Sequence, residues 1–173
     1  MMLKTERLYL RPMSEEDAQF IVDMRNNSKI LNSLFSYRMI TVEEHLNWYK
    51  NNFNNDNRID LMVCKKDDNK LIGTVNLANI DYKNQKAEFG IMIAESFWNK
   101  GYAYESSQIF IDYSFNQFNL NKIYLEVLKE NDAAINLYQK LGFREEGILR
   151  ENIFKNGKFK DVLIMSSFRD DLK

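Results

Sequence analysis

The fold of this chain is decided by residues 95–105, which read ESFWNKGYAYE. They lie where a predicted strand, residues 86–94, gives way to a predicted helix, residues 101–118. Gly101 and Ala103 are small residues at the helix start, where free backbone N–H groups and the helix dipole favour an anion such as a pyrophosphate. Taken alone the motif is weak, because a glycine can simply begin a helix.

A second informative stretch is residues 131–143, which read NDAAINLYQKLGF. Asn131 is a good helix N-cap, and Gly142 is the expected helix terminator. Tyr138 follows Asn131 by two helical turns, so both side chains can face one cleft. Each also has a purely structural explanation, with Asn131 as the cap and Tyr138 as a core residue.

Strand and helix signals alternate along the rest of the chain. Ser14-x-x-Asp17 and Thr41-x-x-Glu44 are capping boxes that begin two helices, and residues 27–40 between them are predicted to be a loop. Seven strands are predicted, at residues 3–11, 60–66, 71–80, 86–94, 122–127, 143–152 and 158–168. This order predicts an α+β fold in which one mixed sheet carries helices on both faces.

The composition argues against several functional classes. The chain has 173 residues, one Cys, one His and a formal net charge of −1. Its length fits one domain, and its charge provides no broad basic face for nucleic acid. Cys64 has no second thiol with which to form an internal disulfide or a thiolate metal site, so we expect it in the core. We expect a cytoplasmic protein without a metal, a nucleic-acid partner or a membrane span.

The two stretches together resemble the GNAT family of acetyl-CoA-dependent N-acetyltransferases. The similarity is carried by residues 98–103 and by Asn131, Tyr138 and residues 141–143, and it extends over nearly the whole chain. It implies a single GNAT acetyltransferase domain over residues 1–173. The implied fold has a mixed, mostly antiparallel sheet of about seven strands, splayed between the fourth and fifth strands. Acetyl-CoA would lie in that splay as the co-substrate, and no metal is implied.

The resemblance also implies individual roles. Tyr138 matches the general acid that protonates the leaving thiolate, and a phenol is already protonated at pH 7. Glu88 on the fourth strand matches a catalytic or water-relaying carboxylate, and an exposed residue or an ion-pair partner explains it equally well. The residues implied to bind acetyl-CoA are Ile91, Met92, Ile93, Trp98, Asn99, Lys100, Gly101, Tyr102, Ala103, Tyr104, Asn131, Asn136 and Tyr138.

A narrower resemblance concerns the acceptor. Arg25-Asn26, residues 40–48 and residues 71–80 look like the N-acetyltransferases of nucleotide-linked 4-amino sugars. In that group Arg25 and His45 would lie near the phosphates, which suits the bidentate chemistry of arginine. Alternatively, Arg25 pairs with an acidic neighbour, Asp23 or Glu16, and His45 is a solvated helix residue. The expected acceptor-binding residues are Arg25, Phe35, His45, Trp48 and Glu126.

An amino-sugar nucleotide is therefore the expected small-molecule acceptor, ahead of a protein N-terminal amine and a polyamine. A polyamine needs an acidic pocket, whereas residues 30–39 contain Arg38 and no acid, unless Glu43 and Glu44 fold over the site. The alternative of another class is a non-catalytic acyl-CoA-binding module, which the presence of both candidate catalytic residues disfavours. The paired strands and exposed aromatic residues would permit a homodimer.

Overall fold

Five α-helices, three short 3-10 helices and eight strands form the described part of the chain, residues 2–53 and 55–172 of a computed structural model. The strands are β1 (Leu3–Lys4), β2 (Leu8–Pro12), β3 (Ile59–Lys65), β4 (Leu71–Asp81), β5 (Lys86–Ile93), β6 (Lys122–Leu128), β7 (Arg144–Lys155) and β8 (Lys158–Phe168). The helices are α1 (Ala18–Asn26), α2 (Ser28–Ser33), α3 (Val42–Asn52), α4 (Tyr102–Gln117) and α5 (Asp132–Lys140). None of these helices is long and apolar enough to cross a membrane.

One sheet joins the strands in the order β1-β2-β3-β4-β5-β6-β8-β7. Neighbours are antiparallel except β5 and β6, which are parallel because α4 forms the crossover between them. The predicted mixed α+β sheet is confirmed, with eight strands rather than seven. The additional strand arises because the predicted strand 3–11 breaks at Thr5, whose N–H donates to the Leu8 carbonyl at 3.0 Å.

The sheet is splayed between β5 and β6, as expected. The two strands are paired only from Lys86 opposite Lys122 to Glu88 opposite Tyr124. Over residues 89–93 the β6-facing edge of β5 has no ladder partner in the described chain. A cleft therefore opens in the middle of the sheet, and one of its walls presents free backbone hydrogen-bonding groups.

Different helices cover the two faces of the sheet. On one face, hereafter the α4–α5 face, Phe110 and Tyr138 belong to the larger apolar core. On the other, the α1–α3 face, Ile21 packs with Met62 and Cys64. Cys64 is fully buried, as predicted for a core residue. Because side chains alternate along a strand, each strand residue faces one of these two sides.

The segment between the first two predicted helices is more ordered than expected. Residues 27–40 were predicted to be a loop, but Ser28–Ser33 form α2, whose N-cap Asn27 accepts hydrogen bonds from the backbone N–H groups of Lys29 and Ile30. The prediction was wrong because six residues are too short to show a helical repeat. The Thr41–Glu44 capping box is present, so the predicted start of α3 is confirmed.

Candidate active site

The backbone at the start of α4 is open to an anion. Gly101 has a left-handed conformation (φ +80°), as does Asn99 (φ +59°). Glu105 is the first helix residue that donates back, to the Gly101 carbonyl at 3.1 Å. The amides of residues 102–104 have no acceptor among the described residues, and they lie at the positive end of a 16-residue helix. This arrangement fits the pyrophosphate of acetyl-CoA.

The loop side chains brace this backbone. The Trp98 indole donates to the Ile93 carbonyl at 2.7 Å. The Lys100 ammonium donates to the Ser96 carbonyl at 2.8 Å and lies 5.4 Å from the centre of the Phe97 ring. Trp98 and Lys100 therefore hold the strand end and the loop together, and the backbone amides are the groups that remain available to an anion.

Arg7, which lies between β1 and β2, contacts this loop from an edge of the sheet. The sequence analysis did not identify it. Its guanidinium donates to Glu105 Oε2 at 2.7 Å and to the Lys100 carbonyl at 3.0 Å, and it lies 4.7 Å from the centre of the Tyr102 ring. Burial alone would raise the pKa of Glu105, but hydrogen bonds from Thr5 and Arg7 outweigh it and lower that pKa. The contact joins residues 98 positions apart, so no local pattern could have revealed it.

Other predicted cofactor residues lie on β5 and on α5. Ile91 and Met92 are half-buried on the free edge of β5. Asn131 caps α5, and its Oδ1 accepts from the Ala134 N–H at 3.2 Å. Its Nδ2 makes no hydrogen bond to the described residues, so the cap leaves a donor for a cofactor carbonyl. Asn136 is exposed on α5.

Tyr138 lies in the α4–α5 core, with only 8% of its surface exposed. Its ring meets Phe89 of β5 edge-on, at 6.5 Å between centroids, and lies 5.9 Å from Phe143. Burial raises the pKa of Tyr138 to about 12, so the phenol keeps its proton at neutral pH. Its hydroxyl has no hydrogen-bond partner within residues 2–53 and 55–172, which leaves the proton free for transfer.

Two carboxylates face the opposite side of the sheet at the point where the strands separate. Glu88 and Glu126 each lie between two residues of the α4–α5 core, so both side chains point to the α1–α3 face. Asn79 donates to Glu88 at 2.7 Å. Burial and the charge of Glu88 raise the pKa of Glu126. Neither carboxylate has a basic partner in the part of the chain that is described, so the ion-pair explanation of Glu88 is wrong.

Arg25, His45 and Trp48 lie together on the α1–α3 face. His45 is only 6% exposed and stacks on Trp48 at 5.4 Å. Burial and the charge of Arg25 lower the pKa of His45, and its Nε2 has no hydrogen-bond partner. Burial and the nearby Arg58 lower the pKa of Arg25, which forms no ion pair with any described residue. The alternatives of a solvated His45 and of Arg25 paired with Asp23 or Glu16 are therefore wrong.

The segment between α2 and α3 contains Phe35, which is half-buried. Glu44 is not free to fold over this segment, because it accepts from the Thr41 N–H and from Arg38, both at 2.8 Å. Glu43 is exposed on α3, and Glu88 and Glu126 are carboxylates at the splay itself. No cluster of three or more His, Cys, Asp and Glu side chains suited to a metal ion occurs within the described ranges.

Comparisons with known proteins agree with this geometry. The acetyltransferase (GNAT) domain family matches residues 7–144. Spermidine N(1)-acetyltransferase of Vibrio cholerae serotype O1 is 38% identical over 156 residues, which cover 90% of each protein. The Escherichia coli K12 enzyme of the same name is 32% identical, covering 92% of this chain and 85% of that protein.

A solved structure gives the same result. Spermidine N-acetyltransferase from Vibrio cholerae, in complex with CoA and spermine, superposes on this chain with a TM-score of 0.92 at 35% identity. The superposition covers 98% of this chain and 100% of that one. The chain therefore belongs to the GNAT family and is an acetyl-CoA-dependent N-acetyltransferase.

Proposed function

We propose that the acceptor is a linear polyamine of the spermidine type. The observation that carries the proposal is the pair of carboxylates, Glu88 and Glu126, at the mouth of the splay without a basic partner among the described residues. Two like charges held close together are favoured when a cation lies between them. Relatives named for spermidine acetylation support the same acceptor class, rather than the amino-sugar nucleotide expected from the sequence.

The cofactor contacts follow from the open backbone groups. Residues 91–93 on the free edge of β5 would meet the pantetheine amides, and Asn131 Nδ2 would donate to one of their carbonyls. The amides of residues 100–104 would hold the pyrophosphate. When bound, acetyl-CoA supplies the acetyl group as a thioester.

The proposed base and the proposed acid lie on opposite faces of the sheet. The acceptor amine approaches from the α1–α3 face and loses one proton to Glu88, so that its lone pair can attack the thioester carbonyl. As the C–N bond forms and the C–S bond breaks, the sulfur takes the proton of Tyr138 from the α4–α5 face. The ammonium loses two protons in all: one restores Tyr138 by way of solvent, and the other is released. Glu126 attracts the second positive charge of the polyamine.

A second candidate acceptor is an amino-sugar nucleotide, and one observation favours it. The guanidinium of Arg25 has no ion-pair partner in the described ranges, and the Nε2 of His45 beside it is unpaired. Buried polar groups normally have partners, so a phosphate oxygen would satisfy both side chains. This argument competes directly with the one from Glu88 and Glu126, because the two acceptors have opposite charge.

An acceptor panel separates these proposals. CoA thiol release would be measured with spermidine, butylamine and a UDP-linked 4-amino sugar. We expect the highest kcat/KM with spermidine, and a value at least about tenfold lower with butylamine, which lacks the second ammonium. A higher kcat/KM with the UDP-linked sugar would establish the second candidate, and no thiol release with spermidine would overturn the polyamine proposal.

A further inference from the structure

Lys155, the last residue of β7, holds a buried ammonium that the mechanism above does not use. The residue is only 6% exposed. Its Nζ donates to three backbone carbonyls: those of Leu31 at 2.6 Å, Ser36 at 3.0 Å, and Leu34. These three bonds use every N–H of the ammonium. Lys155 forms no ion pair with a described residue, so the dipoles of these carbonyls are what stabilises its charge.

An irregularity in β7 brings Lys155 to this position. The register changes from Leu149 opposite Val162 to Ile153 opposite Lys160, so residues 150–152 lie opposite Asp161 alone. The Asp161 carboxylate accepts from the Glu151 N–H at 2.9 Å and so satisfies the bulged backbone. Bulges bend a strand. We attribute the contact between the end of the β7–β8 hairpin and α2 to this bend.

The opposite end of α2 is fixed to β5. Asn27, its N-cap, donates through Nδ2 to Glu95 at 2.9 Å, and Lys29 forms a salt bridge with the same carboxylate. Glu95 follows β5 by two residues, whereas β7 lies beyond β6 and β8 in the sheet order. Residues 27–36 therefore run from one side of the splay to the other. We call them the α2 strap.

The α2 strap lies on the acceptor side of the cleft. It follows α1 directly and contacts it, so it shares the face to which Glu88 and Glu126 point. Phe35 lies between two of the residues whose carbonyls bind Lys155, so its backbone is fixed on both sides. The Leu31 carbonyl also accepts from the Leu34 N–H at 3.3 Å, so Lys155 is a second donor to the end of α2.

We propose that Lys155 is a positioning residue for the acceptor, because it anchors the far end of the α2 strap and so fixes the wall that carries Phe35. The proposal rests on the function proposed above, in which the acceptor enters from the α1–α3 face. Lys155 touches neither substrate. Its loss should therefore weaken acceptor binding and leave the acetyl-CoA site, in the splay and at the start of α4, unchanged.

The test compares Lys155→Met with Lys158→Met in steady-state kinetics with spermidine and acetyl-CoA. Lys158 lies opposite Lys155 in the hairpin, is exposed, and makes no side-chain hydrogen bond to a described residue, so it is a matched control. For Lys155→Met we expect the spermidine KM to rise at least about tenfold, with the acetyl-CoA KM and kcat within about twofold of wild type. The control should match wild type. An unchanged spermidine KM, or equal rises in both KM values, would overturn the proposal.

Lys155→Arg keeps the test decisive if Lys155→Met does not fold. Arginine retains the charge, but its planar fork cannot direct three donors to the three carbonyls, so the spermidine KM should rise by a smaller factor. Wild-type kinetics in Lys155→Arg would overturn the proposal in that case. Failure of the polyamine function would appear differently, as wild-type protein that releases no thiol with spermidine.

Discussion

The replacement Tyr138→Phe tests the proton-donor role that we propose for this residue. It removes one oxygen from a buried ring whose hydroxyl bonds to no described residue, and it keeps the ring contacts with Phe89 and Phe143. The folded state therefore loses no hydrogen bond, and the free energy of unfolding should change by less than about 1 kcal/mol. General acid catalysis contributes about 10²- to 10⁴-fold, or about 3 to 5 kcal/mol in the activation free energy.

The assay is CoA thiol release at saturating concentrations of both substrates. We expect kcat of Tyr138→Phe to fall at least about 100-fold, with the acetyl-CoA KM within about twofold of wild type, because only an interaction of the transition state is lost. Tyr113→Phe is the control, since the Tyr113 ring packs against Phe118 and its hydroxyl also bonds to no described residue. A fall of less than about threefold would remove Tyr138 from the acid role. An equal fall in kcat of Tyr113→Phe would also remove Tyr138 from the acid role.

Three further predictions concern the acceptor carboxylates, the loop and the pH profile. Glu126→Gln should raise the spermidine KM about tenfold, whereas Glu43→Gln on the exposed face of α3 should not, and equal effects in both would refute the role of Glu126. Gly101→Ala should destabilise the fold by about 1 to 2 kcal/mol in thermal unfolding and raise the acetyl-CoA KM, because φ is +80° and a Cβ would lie 3.3 Å from a guanidinium nitrogen. Gly147→Ala, where a Cβ meets nothing within 4 Å, should change neither quantity. Since the pKa of Glu126 is raised and that of Tyr138 is about 12, kcat/KM for spermidine should rise with pH as Glu126 loses its proton. An alkaline loss near pH 8 that disappears in Tyr138→Phe would contradict this assignment.

Local sequence signals accounted for the starts of α3 and α4. The Thr41–Glu44 capping box depends on residues three apart, so the sequence alone identifies it. The same holds for Gly101, where a tight left-handed turn precedes a long helix. The proximity of Glu88 and Glu126 was not predicted, because it depends on the parallel pairing of β5 with β6.

Contacts between distant residues could not be predicted in this way. Lys155 binds carbonyls about 120 positions earlier in the chain, and its position depends on a strand bulge for which the alternating pattern of β7 gives no signal. The short helix α2 was also missed, although Asn27 is a good N-cap and could have indicated it. The relatives named for spermidine acetylation favour the acceptor class that the sequence analysis ranked last. It ranked a polyamine last because it sought acidic groups in residues 30–39, whereas the carboxylates at the splay lie on β5 and β6.

The most direct test of the polyamine proposal is the identity of the product. Wild-type protein would be incubated with acetyl-CoA and spermidine, and the polyamines would be analysed by mass spectrometry while released thiol is counted. We predict monoacetylated spermidine in a one-to-one ratio with CoA thiol, and strongly reduced formation of both in Tyr138→Phe. Thiol release without acetylated spermidine, or no reaction with spermidine alongside turnover of a UDP-linked amino sugar, would contradict the proposal.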